Sequence, residues 1–347
     1  MSTVYIVGAG ASAAANAPLI SDFKSRAELL TRRADVRWRN DTKQRFRETY
    51  DYWDKHFAKV NVEEFYMLAD VMSRLQVANQ LENLHDHDLT HNVQYLIAKT
   101  LEVSLRKSKI DLHESFVKAI WYHAGSDGRK LAVITLNWDI LIDQAADVVF
   151  GSRRLNIGLD RVFDRHFTQV PRNEDGFPLF KMHGSLNWWF CTACQGLRYK
   201  SDEKDVLDYW EGIAPECAAS DCKSPGSKLV PIMIPPTNQK LENSPSSYIT
   251  QRVWLEARKR LRDCQSLVLI GYSFPPTDVQ FKMFLLEALS ENPPLTITVL
   301  SNRKVGSERQ RFEDNYWAVF GNLPDRVQLS FRYEGFERWV ADGCGGR

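Results

Sequence analysis

No sign of charge dominates this chain. Lys and Arg number 45 against 44 Asp and Glu, a formal net charge of +1 over 347 residues. That balance removes the electrostatic case for binding nucleic acid or a membrane surface. Long apolar runs are missing too: none approaches the roughly 20 residues a membrane helix needs. Residues 4–20 are small and apolar, yet they lack a basic leader and a glycine turn interrupts them. A buried first strand and loop is expected there rather than a signal peptide. Cysteine is scarce, with six in all, four of them in two close pairs. That usage fits metal ligation in a reducing compartment better than disulfides, and the cytoplasm is the expected setting. What the chain has in quantity is apolar residues, 44%, and aromatics, 12%. They suffice for one large domain with insertions, or for two domains.

Residues 3–7 read as a buried strand, and Gly8-Ala9-Gly10-Ala11-Ser12 follows at once. Two glycines there let the backbone turn tightly and approach a ligand, with the amides of the next helix pointing at it. The full G-x-G-x-x-G fingerprint is not met, because Ala13 stands where the third glycine would be. A second apolar run, residues 131–135, ends in Leu136-Asn137-Trp138-Asp139. Polar residues at the carboxyl end of a strand are where open α/β sheets place ligand contacts, although Asn and Asp are also good helix caps. A third run, residues 177–180, leads into Lys181-Met182-His183-Gly184-Ser185-Leu186-Asn187-Trp188-Trp189. A strand ending in a turn puts His183 at the sheet's edge. Residues 266–270 and 295–300 are further buried strands, followed by Gly271-Tyr272-Ser273-Phe274 and Ser301-Asn302-Arg303.

Between the first two strands, residues 22–125 carry few strand signals. Helices are expected over 41–57, 62–75, 91–107 and 112–123, where apolar residues recur at three- and four-residue steps. Arg32, Arg33, Arg37 and Arg39 read as a solvated face. His85, His87 and His91, with Asp86 and Asp88, read as a polar loop before a helix capped by Thr90 rather than as a metal site. Residues 151–176 look loop-like. Cys191, Cys194, Cys217 and Cys222 form C-x2-C and C-x4-C pairs, a spacing that suits four thiolates around a structural zinc. Cys264 and Cys344 have no evident partner in the sequence. Helices over 249–261, 308–320 and 336–341 and a strand over 327–331 complete the pattern. Strand and helix alternate, so a mostly parallel, doubly wound α/β sheet is predicted, with the helical block and the cysteine module inserted on it.

In this order the segments resemble the Sir2 (sirtuin-like) family. The matching residues are Gly8-Ala9-Gly10-Ala11-Ser12 with Pro18, Thr135-Leu136-Asn137-Trp138-Asp139, His183-Gly184, the four cysteines, Gly271-Tyr272-Ser273 and Asn302. They run along nearly the whole chain, with the helical block matched least. His183-Gly184-Ser185-Leu186-Asn187-Trp188, residues 231–237 with Lys240, and Gly271-Tyr272-Ser273-Phe274-Pro275-Pro276-Thr277-Asp278 resemble the bacterial branch found in antiphage defence. Asn61-Val62-Glu63-Glu64 does so more faintly. Deacylating sirtuins carry Gln where Leu136 stands, Asp-Phe-Arg directly after the proline, and Phe-Gly-Glu where residues 232–236 lie.

The resemblance implies a Rossmann-like NAD-binding domain over residues 1–21 and 126–347. It implies a helical insertion over 22–125 and a zinc-binding module over 188–228. NAD would be the substrate. Gly8, Ala9, Gly10 and Ser12 would hold its pyrophosphate, and Asn137 would orient the ribose or an attacking water. Asp139 would bond the nicotinamide carboxamide, and His183 would contact the ribose hydroxyls as a base. Gly271, Ser273 and Asn302 would hold the adenosine side. The activity expected is hydrolysis of NAD to nicotinamide and ADP-ribose, regulated as a defence effector. A NAD-dependent deacylase and a non-catalytic NAD-binding subunit are the alternatives. By family analogy a homo-oligomer is expected, and a HerA-like ATPase or a short Argonaute fits as a partner.

Overall fold

The computed structural model describes residues 2–39, 41–75, 88–151, 155–164, 166–199, 206–235, 247–275, 277–291, 294–302, 306–321, 323 and 327–345. His85, Asp86, His87, Pro236, Thr237, Lys240, Pro276 and Arg303, each singled out in the sequence, lie outside the described residues.

In chain order the strands are β1 (Thr3–Val7), β2 (Leu131–Thr135), β3 (Leu155–Asn156), β4 (Val162–Phe163), β5 (Gln169–Val170) and β6 (Phe177–Lys181). Then come β7 (Gly184–Phe190), β8 (Leu197–Tyr199), β9 (Val230–Met233), β10 (Ser266–Ile270), β11 (Leu295–Leu300) and β12 (Val327–Arg332). Seven of them form a parallel sheet in the order β12-β11-β10-β1-β2-β6-β3. β2, β6 and β10 are buried along their whole length. Near-continuous apolar runs are what a parallel sheet covered on both faces requires. β12 alternates half-buried and exposed residues, as suits an edge.

β1 lies at the centre, and the order departs from it in both directions: β2, β6 and β3 on one side, β10, β11 and β12 on the other. The crevice between β1 and β10 is therefore the topological switch point, where open α/β sheets bind ligands. The register levels the strand ends. Val7 is paired with both Ile270 and Thr135, Thr135 with Lys181, and Ile270 with Leu300. The loops after β1, β2, β6, β10 and β11 thus leave from one edge.

Between β1 and β2 come helices Phe23–Arg32, Thr42–His56, Val62–Arg74, Leu89–Leu105 and Asp111–His123. The first four share a core with Ile140, Leu186 and Met233. Hence the helical stretch packs against the loops at the sheet's carboxyl edge rather than standing apart. The helix near residue 90 is capped by Asp88, whose carboxylate accepts from the Thr90 amide; Thr90 is not the cap. No helix among the described residues is long and apolar enough to cross a membrane.

A second, smaller sheet has the order β5-β4-β8-β7-β9. The strand and turn expected at His183 are present, and residues 184–190, which carried no strand expectation, form a fully buried strand antiparallel to β8 and β9. Only Met182 and His183 separate β6 from β7, so the chain passes almost directly from one sheet into the other. Gly184 makes this passage possible. Its φ is +72°, and a Cβ there would lie 2.1 Å from the Ile232 carbonyl oxygen, so no other residue fits without moving the strand.

Candidate active site

The glycine turn after β1 packs against the loop after β10. Gly8 N–H donates to Ile270 O and Gly10 N–H to Gly271 O, both at 2.9 Å. A Cβ on Gly10 would sit 2.7 Å from Gly271 Cα, and one on Gly271 (φ +63°) would sit 2.3 Å from Ala11 N. Close approach of two backbones is therefore enough to require these glycines, before any ligand is considered. Ala9–Ser12 forms a single helical turn, continued by a 3-10 turn over Ala13–Ala15. Ser12 is buried at its end.

Asn137 follows β2 and does not cap the next helix. Its Nδ2 donates to Ser12 Oγ at 3.0 Å, and its backbone N–H donates to Thr135 Oγ1 at 3.2 Å. Asp139 does take the cap-like role: Oδ1 accepts from Leu141 N–H at 3.1 Å. Its backbone carbonyl accepts from Lys181 Nζ at 2.5 Å, and the same ammonium lies 2.8 Å from Asp143 Oδ2. Lys181 and Asp143 side chains are each 1% exposed, and Asn187 Nδ2 donates to the other Asp143 oxygen at 3.1 Å. A buried pair of this kind holds together because each charge has a partner and further hydrogen bonds. It ties the loop after β2 to β6 and β7.

His183 is 5% exposed. Its carbonyl accepts from Trp138 Nε1 at 3.1 Å and from Ile234 N–H at 3.0 Å. Its Nε2 lies 3.7 Å from Asp278 Oδ2, and Tyr272 O–H donates to that same oxygen at 3.0 Å. Burial, with the Asp278 carboxylate adding to it, raises the Tyr272 hydroxyl far above its ordinary range. Tyr272 is thus a neutral donor at all ordinary pH. Ser273 and Asn302 are exposed on the same edge of the sheet, with Asn302 beside Gly335.

The structure packs Gly8 and Gly10 against Gly271, bonds Ser12 to Asn137, and links His183 to Asn137's neighbour Trp138. Several residues at this edge were not singled out for a role there. Glu63 and Tyr66 come from helix Val62–Arg74. Glu63 accepts from Thr277 Oγ1 at 2.9 Å, and Tyr66 O–H donates to Met233 O at 2.8 Å. The Tyr66 ring lies 5.9 Å from that of Trp138. The Asn61 capping box starts this helix, with Asn61 Oδ1 accepting from the Glu64 N–H at 3.0 Å. His113 is buried beside Asp139, and burial lowers its imidazole below the usual range against the pull of that carboxylate. It carried no sequence signal beyond a polar residue on an amphipathic helix.

The four cysteine sulfurs all lie within 4.8 Å of one another, and the pairs Cys191–Cys222 and Cys194–Cys217 are 3.8 Å apart. Four thiolates about 2.3 Å from a zinc ion have sulfur–sulfur edges of about 3.8 Å. A disulfide would need about 2.05 Å. The residues therefore fit a zinc ion, with all four positions taken by protein. Without a metal, burial pushes the Cys217 thiol up to about 12 and raises Cys191. Cys194 is lowered: burial opposes this, but the Gly196 amide and Arg161 outweigh it. β7 separates the cluster from His183 by eight residues, roughly 25 Å of strand. A metal held there would have no direct contact with His183.

No family model matches the chain, and no curated protein does. Among solved structures it is similar to one described as the structural basis of sirtuin substrate affinity, at 16% identity, covering 99% of this chain and 94% of that one, with a TM-score of 0.42. It is also similar to a Sir2 mutant with a p53 peptide and NAD, at 15% identity, covering 99% and 91%, TM-score 0.39. A Sir2 homologue mutant complexed with ADP-ribose gives 13% identity, 99% and 90% coverage, and a TM-score of 0.46. Likeness of this order assigns no activity, and the functional reading rests on the residues themselves.

Proposed function

We propose that this chain is an NAD glycohydrolase, cleaving NAD to nicotinamide and ADP-ribose. The observation that carries the reading is the hydrogen bond of Asn137 to Ser12, 3.0 Å, at the switch-point edge of the parallel sheet. It joins the loop proposed to hold pyrophosphate to the residue proposed to act at the ribose. In the reaction the bond between the anomeric carbon and the pyridinium nitrogen breaks, and its electron pair goes to nicotinamide. Nicotinamide is already a competent leaving group, so no general acid is needed. Water supplies the new oxygen, and its proton passes to His183 and on to solvent. Gly8, Ala9 and Gly10 with Ser12 bind the pyrophosphate, Asp139 the carboxamide, and Gly271, Ser273 and Asn302 the adenosine side. The division into a NAD-binding domain, a helical insertion over 22–125 and a zinc module over 188–228 belongs to the same proposal. So do a homo-oligomeric state, a cytoplasmic setting and a role in antiphage defence beside a HerA-like ATPase or short Argonaute.

One feature favours water over an acylated peptide as acceptor. A peptide that adds a strand needs open backbone groups on a sheet edge. β9 is such an edge, but its Met233 carbonyl accepts from Tyr66 O–H and from Gln94 Nε2, and Pro231 has no N–H to offer. The test is to incubate the purified chain with NAD, with and without an acetylated peptide, and identify the products. Nicotinamide and ADP-ribose without peptide are expected. Release only with peptide, accompanied by O-acyl-ADP-ribose, would make the chain a deacylase.

A further inference from the structure

Asp278 stands at the N-cap of helix Val279–Leu289, and aspartate is among the best capping residues. Its carboxylate makes no capping hydrogen bond. Instead it is turned inward and buried, 1% exposed, with Oδ2 shared between the Tyr272 hydroxyl at 3.0 Å and His183 Nε2 at 3.7 Å. A buried carboxylate needs partners to stay charged, and these two come from different loops of the same sheet edge.

We propose that Asp278 is the positioning carboxylate of His183, orienting its imidazole and stabilising the positive charge the ring takes on with a proton. The inference rests on the reading of His183 as the base in NAD cleavage. At 3.7 Å the carboxylate acts through its field rather than through a short hydrogen bond, and an opposite charge within about 4–6 Å favours the protonated ring. Tyr272 holds Asp278 in place by donating to it and stays neutral itself. Glu63, from helix Val62–Arg74, accepts from Thr277 next to Asp278 and adds a second carboxylate to this region. Lys181, on the strand leading to His183, is committed to Asp143 and the Asp139 carbonyl. One carboxylate, Asp278, therefore faces a ring that becomes cationic, backed by the neutral Tyr272 phenol that donates to it.

The experiment is an NMR titration of the His183 imidazole in the full chain, which needs no substrate, set beside the pH profile of NAD cleavage. Asp278→Asn removes the negative neighbour, so the imidazole titrates about one unit lower. The acid limb of the cleavage profile moves to lower pH with it, because the neutral base then persists further into acid. Turnover falls roughly tenfold while KM changes little, and Asp278→Glu restores part of both effects. Where Asp278→Asn fails to fold, Tyr272→Phe carries the test: the carboxylate loses a donor, and the His183 titration moves up. An unchanged titration in either folded variant overturns the proposal, whatever cleavage does. A shifted titration in a protein that never releases nicotinamide upholds the pairing and overturns the NAD reading instead.

Discussion

Asn137 Nδ2 and Ser12 Oγ are hydrogen-bonded at 3.0 Å, although 125 positions separate them. Each follows the carboxyl end of a strand, Ser12 at the end of the helical turn after β1 and Asn137 in the loop after β2, and β1 and β2 are neighbours in register. Asn137→Ala and His183→Ala are each expected to lower NAD cleavage by roughly a hundredfold or more, as loss of a positioning or acid–base group does. NAD affinity changes far less, because the work is done on the ribose in the transition state. Turnover per folded protein, affinity and melting temperature measured together separate this from a structural role. Near-normal turnover in both variants would end the active-site assignment.

Gly10 gives a different kind of expectation. Valine there would push against Gly271 Cα, 2.7 Å from where its Cβ would start. Overpacking of this sort costs about 1–3 kcal/mol, so melting temperature should drop along with NAD affinity. A Gly10→Val protein with parental melting and weakened NAD binding would show that the glycine serves the ligand rather than the loop packing.

The buried pair of Lys181 and Asp143 should be costly to break on one side only. Lys181→Met leaves a carboxylate buried without its counter-ion, a loss of about 3–5 kcal/mol. Replacing both, Lys181→Met with Asp143→Leu, should recover much of it. Denaturant unfolding is the measurement. Equal stability of the single variant and the parent would mean the pair does not hold the loop after β2.

The cysteine cluster should carry one equivalent of zinc. Cys217→Ser should lose the metal and lower the melting temperature. Since burial raises the Cys217 thiol to about 12 and raises Cys191, binding at neutral pH must displace protons. Zinc affinity therefore falls as pH falls, which competition with a chelator across a pH series would measure. A metal-free protein that is fully folded would remove zinc from the account.

β1, β2 and β10 were legible because each is an apolar run ending in glycine or polar residues, the pattern of a strand buried on both faces, and β11 because its apolar residues alternate with threonine. β3, β4 and β5 have two residues each, too few for any periodicity. β7 was hidden for another reason: Ser185 and Asn187 break its apolar pattern, yet both are fully buried because Asn187 is bonded to Asp143 and Ser185 lies by the Trp138 carbonyl. Asp278 enters the sequence reading only as the end of the segment from Gly271 to Asp278, before a helix that an aspartate could cap. Nothing local in sequence says that its carboxylate faces the other way. Glu63 and Tyr66 reach the sheet edge only through tertiary packing.

The passage from β6 to β7 through Met182 and His183 has a mechanical consequence. With Gly184 locked against Ile232, the chain there has no slack. The imidazole is mounted on the joint between a large sheet that carries the glycine turns and a small sheet that ends in the cysteine cluster. Any tilt of the small sheet against the large one would change the heading of that ring.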